Sequence, residues 1–289
     1  MTALALRIAD GSAFFAGLVL LLLSLAIKAL CRRAWLISFS NIGSVTALAL
    51  IAISGTPLPI AEYGLLGLFA LSASSLAQGT SKSELSRRIK AASLLGTFCL
   101  CIGLGAQEWP FRSRPSFGVA PSTKVYVIGD SISAGMRRDP LLWPTALAQS
   151  TGLEVINLAQ AGATVADAKV QIRQVPETPS AVILEIGGND LLGTTSAEAF
   201  RKELEAILAP LSQSGHHLLM FELPLVPFKN GFGRAQRDLA KRYSATLIPK
   251  REFAMVLAAE GATEDGLHLS PKGHELFASM VSGVLDIRK

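Results

Sequence analysis

The uneven distribution of apolar residues constrains this chain more than anything else in it. Half of its 289 residues are hydrophobic and the mean hydropathy is positive, high for a soluble protein. The excess sits in the first hundred or so residues, which are mostly Leu, Ala, Ile, Ser and Gly. Four apolar stretches stand out: Gly11–Leu30, Ala34–Ser54, Leu58–Ala77 and Ala91–Gln107. An apolar helix needs roughly 20 residues to cross the hydrocarbon core of a bilayer. The first three stretches reach that length and the fourth falls short of it. A cleaved leader fits the first stretch poorly, because Lys28, Arg32 and Arg33 follow the apolar run instead of preceding it. The expectation is a helical transmembrane region of about four spans over residues 1–109.

Basic residues orient such a region. The first connection carries Arg32 and Arg33, with Lys28 able to snorkel toward them. The second, Gly55–Pro57, carries no Lys or Arg, and the third carries Lys82, Arg87, Arg88 and Lys90. Cytoplasmic connections are the Lys/Arg-rich ones. This alternation puts the first and third inside, and four spans then put the C-terminal part outside. Arg7, Arg112 and Arg114 oppose that reading but are outnumbered. The expected location is the inner (cytoplasmic) membrane, multi-pass, with the rest of the chain in the periplasm or cell exterior and in contact with membrane lipid.

The net charge of +5 lies largely in those clusters beside apolar runs. It therefore reads as membrane topology, and no nucleic-acid partner is expected. Cys31, Cys99 and Cys101 all lie in or beside apolar segments. They read as small apolar residues, not as a disulfide framework or a metal site.

Residues 110–123 are rich in Pro, Ser and Arg and read as a linker. From Lys124 the pattern changes to alternating α/β. Lys124–Ile128, Glu154–Leu158, Ala181–Ile186, His217–Leu223 and Ala245–Pro249 are short runs of Val, Ile and Leu, as in strands buried on both faces of a parallel sheet. Helical stretches lie near Leu141–Gln149, Ala166–Gln174, Ala197–Ser212, Gly233–Tyr243 and Glu252–Ala259, with a last helix over Pro271–Leu285 capped by Ser270. This predicts an open α/β sheet with helices on both sides over residues 124–289.

Ester hydrolysis needs an oxygen nucleophile, a base oriented by a third group, and donors for an oxyanion. The sequence offers one candidate for each. Gly129-Asp130-Ser131-Ile132 follows the first strand, Gly162 the second, and Gly187-Gly188-Asn189-Asp190 the third. Asp265-Gly266-Leu267-His268 precedes the last helix. In order and spacing these four blocks resemble those of the SGNH, or GDSL, hydrolases, in particular the bacterial thioesterase/lysophospholipase/arylesterase group. The resemblance covers about 165 residues, from Lys124 to the C-terminus, and leaves out the apolar third. It implies a flavodoxin-like three-layer fold and a serine esterase with no metal or organic cofactor. Ser131 would be the nucleophile, His268 the base and Asp265 its orienting group. The backbone N–H groups of Ser131 and Gly162 and the Asn189 amide would form the oxyanion hole.

Chemistry supports the same assignment. Ligands of open α/β sheets bind at the carboxyl ends of strands, where Ser131, Gly162 and Asn189 all fall. Ser131 opens a helix, whose first N–H groups favour negative charge. Gly162 has no side chain to obstruct a substrate. An Asp three residues before a His can fix its tautomer. No Gly-x-Ser-x-Gly elbow surrounds Ser131, which disfavours the α/β-hydrolase fold.

Other polar residues read differently. Asp130 and Asp190 brace loops. Glu185 and Glu222 read as loop-bracing or exposed groups instead of an acid/base pair, and His274 as a surface residue. Arg137 and Arg138 read as a solvated helix face that could meet an anionic head group. The apolar loop Pro224–Phe228, with Phe232, could line an acyl groove. The expected substrate is an acyl ester, either lipid-type or an O-acetyl group on an envelope glycan. An acyltransferase of an exopolysaccharide system and a catalytically silent binding module are the alternatives.

Overall fold

The computed structural model describes residues 3–31, 33–78, 83–136 and 141–287. Arg32 and Lys82, used above for orientation, and Arg137 and Arg138 lie outside the described residues. The chain divides into two compact units, one built on Arg7–Arg112 and one on Ser113–Leu225 and Gly231–Lys289.

The first unit is helical. After a short α1 (Ala3–Ala9) come α2 (Ser12–Leu30), α3 (Ala34–Ile53), α4 (Ile60–Gln78) and α5 (Glu84–Glu108). Among the described residues, three helices are long and apolar enough to cross a membrane: Ser12–Leu30, Ala34–Ile53 and Glu84–Arg112. The apolar part of the remaining one, Ile60–Ser74, is shorter. The order of length therefore differs from the sequence expectation. The stretch from Ala91, short when only apolar residues are counted, continues a helix that starts in polar sequence. Ser83 caps that helix by accepting from Ser86 N at 3.2 Å. Arg87 and Arg88 pair with Glu84 one turn away, at 2.7 and 3.1 Å.

Apolar side chains lie both at the centre of this unit and on its outer surface. Phe14, Leu21, Ala47, Leu66 and Leu104 fill its centre, but Ser24, Ser40, Ser44 and Thr97 are buried with them. Three of these hydroxyls donate back to carbonyls of their own helix: Ser40 to Ile37 (2.8 Å), Ser44 to Ser40 (2.9 Å) and Thr97 to Ser93 (2.8 Å). Val19, Leu23, Phe39, Val45, Leu68, Leu95, Phe98 and Ile102 face outward. Lys28 does not snorkel as expected. It lies on the inward stripe of Leu21, Ser24 and Leu25, three to seven residues earlier. Its Nζ donates to Ser44 Oγ and Ser74 Oγ, both at 3.0 Å.

The second unit is a three-layer α/β domain. Its five-stranded sheet is parallel throughout, in the order β3 (Val155–Asn157), β2 (Val125–Gly129), β4 (Ala181–Glu185), β5 (His217–Phe221) and β6 (Thr246–Ile248). These are the five runs expected from sequence, in flavodoxin-like order. The period-two alternation of a strand sends successive side chains to opposite faces, and two cores result. Val125, Val127, Ile183, Leu219 and Phe221 pack with Trp143, Phe253 and Phe277. Tyr126, Ile128, Val182, Leu184 and Met220 pack with Phe200, Leu204, Ile207 and Leu239. The helices of the two faces are α6 (Ser131–Ala134), α7 (Trp143–Thr151), α8 (Ala168–Ile172), α9 (Gly188–Leu192), α10 (Ala197–Gln213), α11 (Asn230–Arg242), α12 (Lys250–Ala258) and α13 (Pro271–Ser282). Ser270 caps α13 by accepting from Gly273 N at 3.1 Å.

Two strands escaped the sequence reading. β1 (Phe117–Val119), within the expected linker, pairs in parallel with β7 (Leu285–Ile287), which begins at the last residue of the expected final helix. Phe117 and Val119 are buried in the first core, and Arg114 forms an ion pair with Glu252 of α12. Pro115 and Ser116 disguise this three-residue strand, and its partner lies at the other end of the domain.

Phe277 is fully buried, with ring centroids of Phe221, Trp143 and Phe253 at 5.0, 5.1 and 5.3 Å. Truncating such a residue removes transfer energy and leaves a cavity. Phe277→Ala should destabilise the domain by about 3–5 kcal/mol, read from hydrogen exchange of the β2 and β4 amides in the full chain. A loss below about 1 kcal/mol would mean that the cluster is not closely packed.

Candidate active site

β2 and β4 are in register to their last residues, Gly129 opposite Glu185. The chain must turn at once into α6, and Gly129 permits it. A Cβ there would lie 2.7 Å from Ser133 Oγ and 2.9 Å from Glu185 O, closer than side-chain carbons approach. Asp130 N donates to Glu185 O at 3.2 Å, and Asp130 Oδ1 caps α6 by accepting from Ile132 N at 3.0 Å. Ser131 is the buried first residue of α6. Beneath it, Ser133 Oγ accepts from Trp143 Nε1 (3.1 Å) and donates to Glu185 Oε2 (2.8 Å).

The turn after β3 brings the second block alongside. Gly162 has a φ of 79°, and a Cβ built on it would meet nothing within 4 Å, so its backbone faces open space in a conformation that suits glycine. Ala163 O accepts from Asn189 Nδ2 at 2.9 Å, which ties the Gly162 turn to α9 and orients the Asn189 amide. An amide nitrogen carries two hydrogens, so a second N–H remains for another acceptor. Asp190 Oδ2 accepts from Val165 N at 2.8 Å, so Asp130 and Asp190 both brace loops.

Asp265 and His268 form a closed pair before α13. Asp265 Oδ1 accepts from Leu267 N (3.0 Å) and His268 N (2.8 Å), and Oδ2 contacts His268 Nδ1 at 2.6 Å. The ring hydrogen bond foremost, then the two backbone N–H groups, hold the Asp265 carboxyl well below the usual carboxylate range. A proton on Nδ1 leaves Nε2 as the acceptor. Among the described residues no hydrogen bond joins Ser131 to His268. His268 is nevertheless near enough to the Ser131 turn for its charge to act on Asp130. Catalytic contacts of this kind commonly tighten only with substrate in place.

Two carboxyls lie beneath the turn. Burial pushes Glu185 well above the carboxylate range, and the Asp130 charge adds to this against the Ser133 hydrogen bond. Burial also raises Asp130 to about 6, opposed by the Ile132 N–H and the His268 charge and reinforced by Asp190.

Three expectations need correction here. Glu185 and Glu222 are not exposed but buried where β4 and β5 end, and both brace the turns there: Glu185 holds Ser133 Oγ, and Glu222 accepts from Lys250 N at 3.2 Å. Burial also acts on Glu222, but Lys250 and Arg237 outweigh it and hold the carboxyl below its ordinary value, with Arg237 Nε at 2.7 Å. His274 is buried, not on the surface. Helical spacing puts it on the face of Phe277, Ala278 and Val281, where its Nδ1 accepts from Trp143 N at 3.3 Å. Phe232 is a core residue, 4.8 Å from Phe200 between ring centroids, whereas Val226 and Phe228 stay exposed. Gln171, Asn157 and Ser133 hold the strand ends together, and the sequence reading passed over all three.

Residues 127–276 match the model of the GDSL-like Lipase/Acylhydrolase family, just over half of the chain. The chain belongs to that family. The matched span contains every residue of the candidate site, and the protein is a serine hydrolase of carboxylic esters. It is similar to an arylesterase of Vibrio mimicus, 26% identical over 210 residues that cover 67% of this chain and 96% of that one. It is also similar to a thioesterase 1/protease 1/lysophospholipase L1 of Escherichia coli, 24% identical over 163 residues, 53% of this chain and 78% of that one. Among solved structures, a psychrotrophic esterase EstA from Pseudoalteromonas sp. superposes on 56% of this chain and 96% of its own, with a TM-score of 0.48 and 18% identity.

Asp130 yields a pH prediction. Its folded-state pKa lies above the unfolded one, so the folded chain binds more protons between about pH 4 and 6. Stability then falls as pH rises through that window. Asp130→Asn, which can still cap α6, should stabilise the domain by roughly 1–3 kcal/mol at pH 7–8 and have little effect near pH 4. Equilibrium unfolding at both pH values checks it, and an equal effect at both would be inconsistent with a raised Asp130.

Proposed function

We propose that the chain is a membrane-anchored esterase that works through an acyl-Ser131 intermediate. The observation that carries this reading is the 2.6 Å contact of His268 Nδ1 with Asp265 Oδ2, beside a serine that opens a helix at the end of β2. His268 Nε2 takes the proton of Ser131 Oγ as the oxygen attacks the acyl carbon. The tetrahedral oxyanion accepts from the Ser131 and Gly162 N–H groups and the free N–H of Asn189. Collapse breaks the bond to the leaving alcohol or thiol, which takes the proton from the imidazolium. Water, deprotonated by the same nitrogen, then attacks the acyl carbon; the bond to Ser131 Oγ breaks, Oγ takes the proton back from the imidazolium, and the acid leaves. Asp265, kept ionised, stabilises the imidazolium at each step.

Lipid-type acyl esters suit the site better than acetylated glycans. The loops that carry Ser131, Asn189 and His268 each expose a large apolar side chain: Met136, Leu192 and Leu267. A relative also bears the name lysophospholipase. Comparing kcat/KM on acetyl, short-acyl and lysophospholipid esters tests the preference, and a strong acetyl preference would reverse it.

Ser131→Ala should lower kcat by roughly 10⁶-fold and abolish labelling by a fluorophosphonate. Activity within tenfold of wild type would remove Ser131 from the mechanism. Asn189→Ala should lower kcat by about 10²–10³-fold with little change in KM; a change confined to KM would assign Asn189 to substrate binding alone.

Anchoring rests on the outward apolar and inward hydroxyl surfaces of the helical unit, the arrangement an apolar solvent selects. In this reading α2 to α5 all span. A short α4 is accommodated by local thinning, and residues 113–289 lie outside the cytoplasmic membrane. Reporter fusions at Ser122 should show periplasmic phosphatase activity and no cytoplasmic fluorescence. The reverse result would mean an odd number of spans and a cytoplasmic substrate.

A further inference from the structure

The β2–β3 ladder ends at the pair Val127–Asn157, while β2 continues to Gly129 beside β4. On its β3 side Gly129 presents an N–H and a C=O beyond the last ladder pair, and the C=O accepts from Gln160 N, on the segment leaving β3, at 3.1 Å. Gln171, fully buried in α8, meets both. Its Oε1 accepts from Gly129 N and its Nε2 donates to Gly129 O, each at 2.9 Å. The side-chain amide thus holds the N–H and shares the C=O with Gln160 N. Gln171 follows Gly162 on the same β3–β4 connection, so its grip fastens the segment that carries Gly162 to the strand end that launches Ser131. Asn157 makes a second tie, donating to Ser133 O (2.8 Å) and accepting from Ala159 N (3.1 Å).

We propose that Gln171 is a positioning residue for ester hydrolysis, setting the separation of the Ser131 and Gly162 N–H donors through its double hydrogen bond to Gly129. The inference rests on the oxyanion-hole reading above. The two backbone donors belong to different connections, and these are joined at Gly129 by the backbone hydrogen bond from Gln160 N and by the double hydrogen bond of Gln171. An oxyanion hole works only when its donors already stand where charge develops, and small displacements are expensive in rate. Gln171 touches no reacting atom and acts through Gly129.

The test uses the full chain in detergent with a short-acyl aryl ester. Gln171→Met keeps length and burial but removes both hydrogen bonds, and Gln171→Glu keeps an acceptor for Gly129 N. The Met variant should lose about 10–100-fold in kcat with KM within about twofold, and the Glu variant should recover part of the loss. Combined with Asn189→Ala, the Met variant should lose less than the product of the two single losses, because both act on one oxyanion. Leu204→Ala in α10, a core truncation remote from the turn, controls for lost stability and should keep near wild-type kcat. A folded Met variant with kcat within twofold of wild type would overturn the inference. So would fully multiplicative losses, or an equal loss in the Leu204 control. Should the Met variant fail to fold, the Glu variant decides alone, by the same kcat criterion and the same combination with Asn189→Ala. An inactive Ser131→Ala beside a normal Gln171 variant sinks only this inference, whereas an active Ser131→Ala sinks the reading beneath it.

Discussion

Strand β2 is the member on which the rest of the hydrolase unit depends. It pairs with β3 on one side and β4 on the other, and the connection leaving β2 runs to β3 while the connection leaving β4 runs the opposite way, to β5. A crevice necessarily opens at its carboxyl end, because no connection can cover both sides. Three residues of the site end β2: a glycine where no Cβ fits, an aspartate that caps the next helix, and a serine that begins it. The strand is buried along its whole length, so the turn that carries Ser131 is mounted on buried backbone.

That mounting has an electrostatic cost. Two carboxyls, Asp130 and Glu185, sit under the turn with little solvent; burial raises both, and the Asp130 charge further disfavours ionisation of Glu185. Packing alone would have been served better by apolar residues. What the carboxyls provide is direction: Asp130 closes the helix cap and Glu185 holds Ser133, so the backbone between them has few alternatives. Asp265 is the opposite case, a solvent-facing carboxylate made more acidic by the donors around it. The site thus pairs a raised carboxyl behind the serine with a lowered one behind the histidine.

The sheet and the residues now assembled at its edge were legible because their signals are local. Runs of Val, Ile and Leu between helical stretches marked all five sheet strands, and the four blocks fell at predictable strand ends. What stayed hidden depends on distance. Nothing near Phe117 announces that Leu285 will pair with it. His274 looks like a surface histidine until α13 is turned to face Trp143. Gln171 is an ordinary polar residue in a short helix, and its value appears only when β3 proves to be two residues too short. Lys28 was misjudged because snorkelling is the general habit of lysines near helix ends, and only the placement of Ser44 and Ser74 reveals a nearer partner. In α5 the apolar count missed the polar turns that lengthen the helix.

The pairing of β1 with β7 has a consequence in time. During synthesis the first strand of the hydrolase unit must wait until β7 has been made before it finds its partner. The five-stranded sheet can assemble from strands already made, but its two-stranded companion closes only at the end, a contact of the longest possible range within the domain. Non-local pairings of this kind form slowly, since a long loop must be closed before the contact rewards it. Phe117 and Val119, apolar and destined for the core, remain uncovered through that interval. The interval in which this enzyme most needs protection from aggregation is therefore set by the distance between the two ends of its catalytic half.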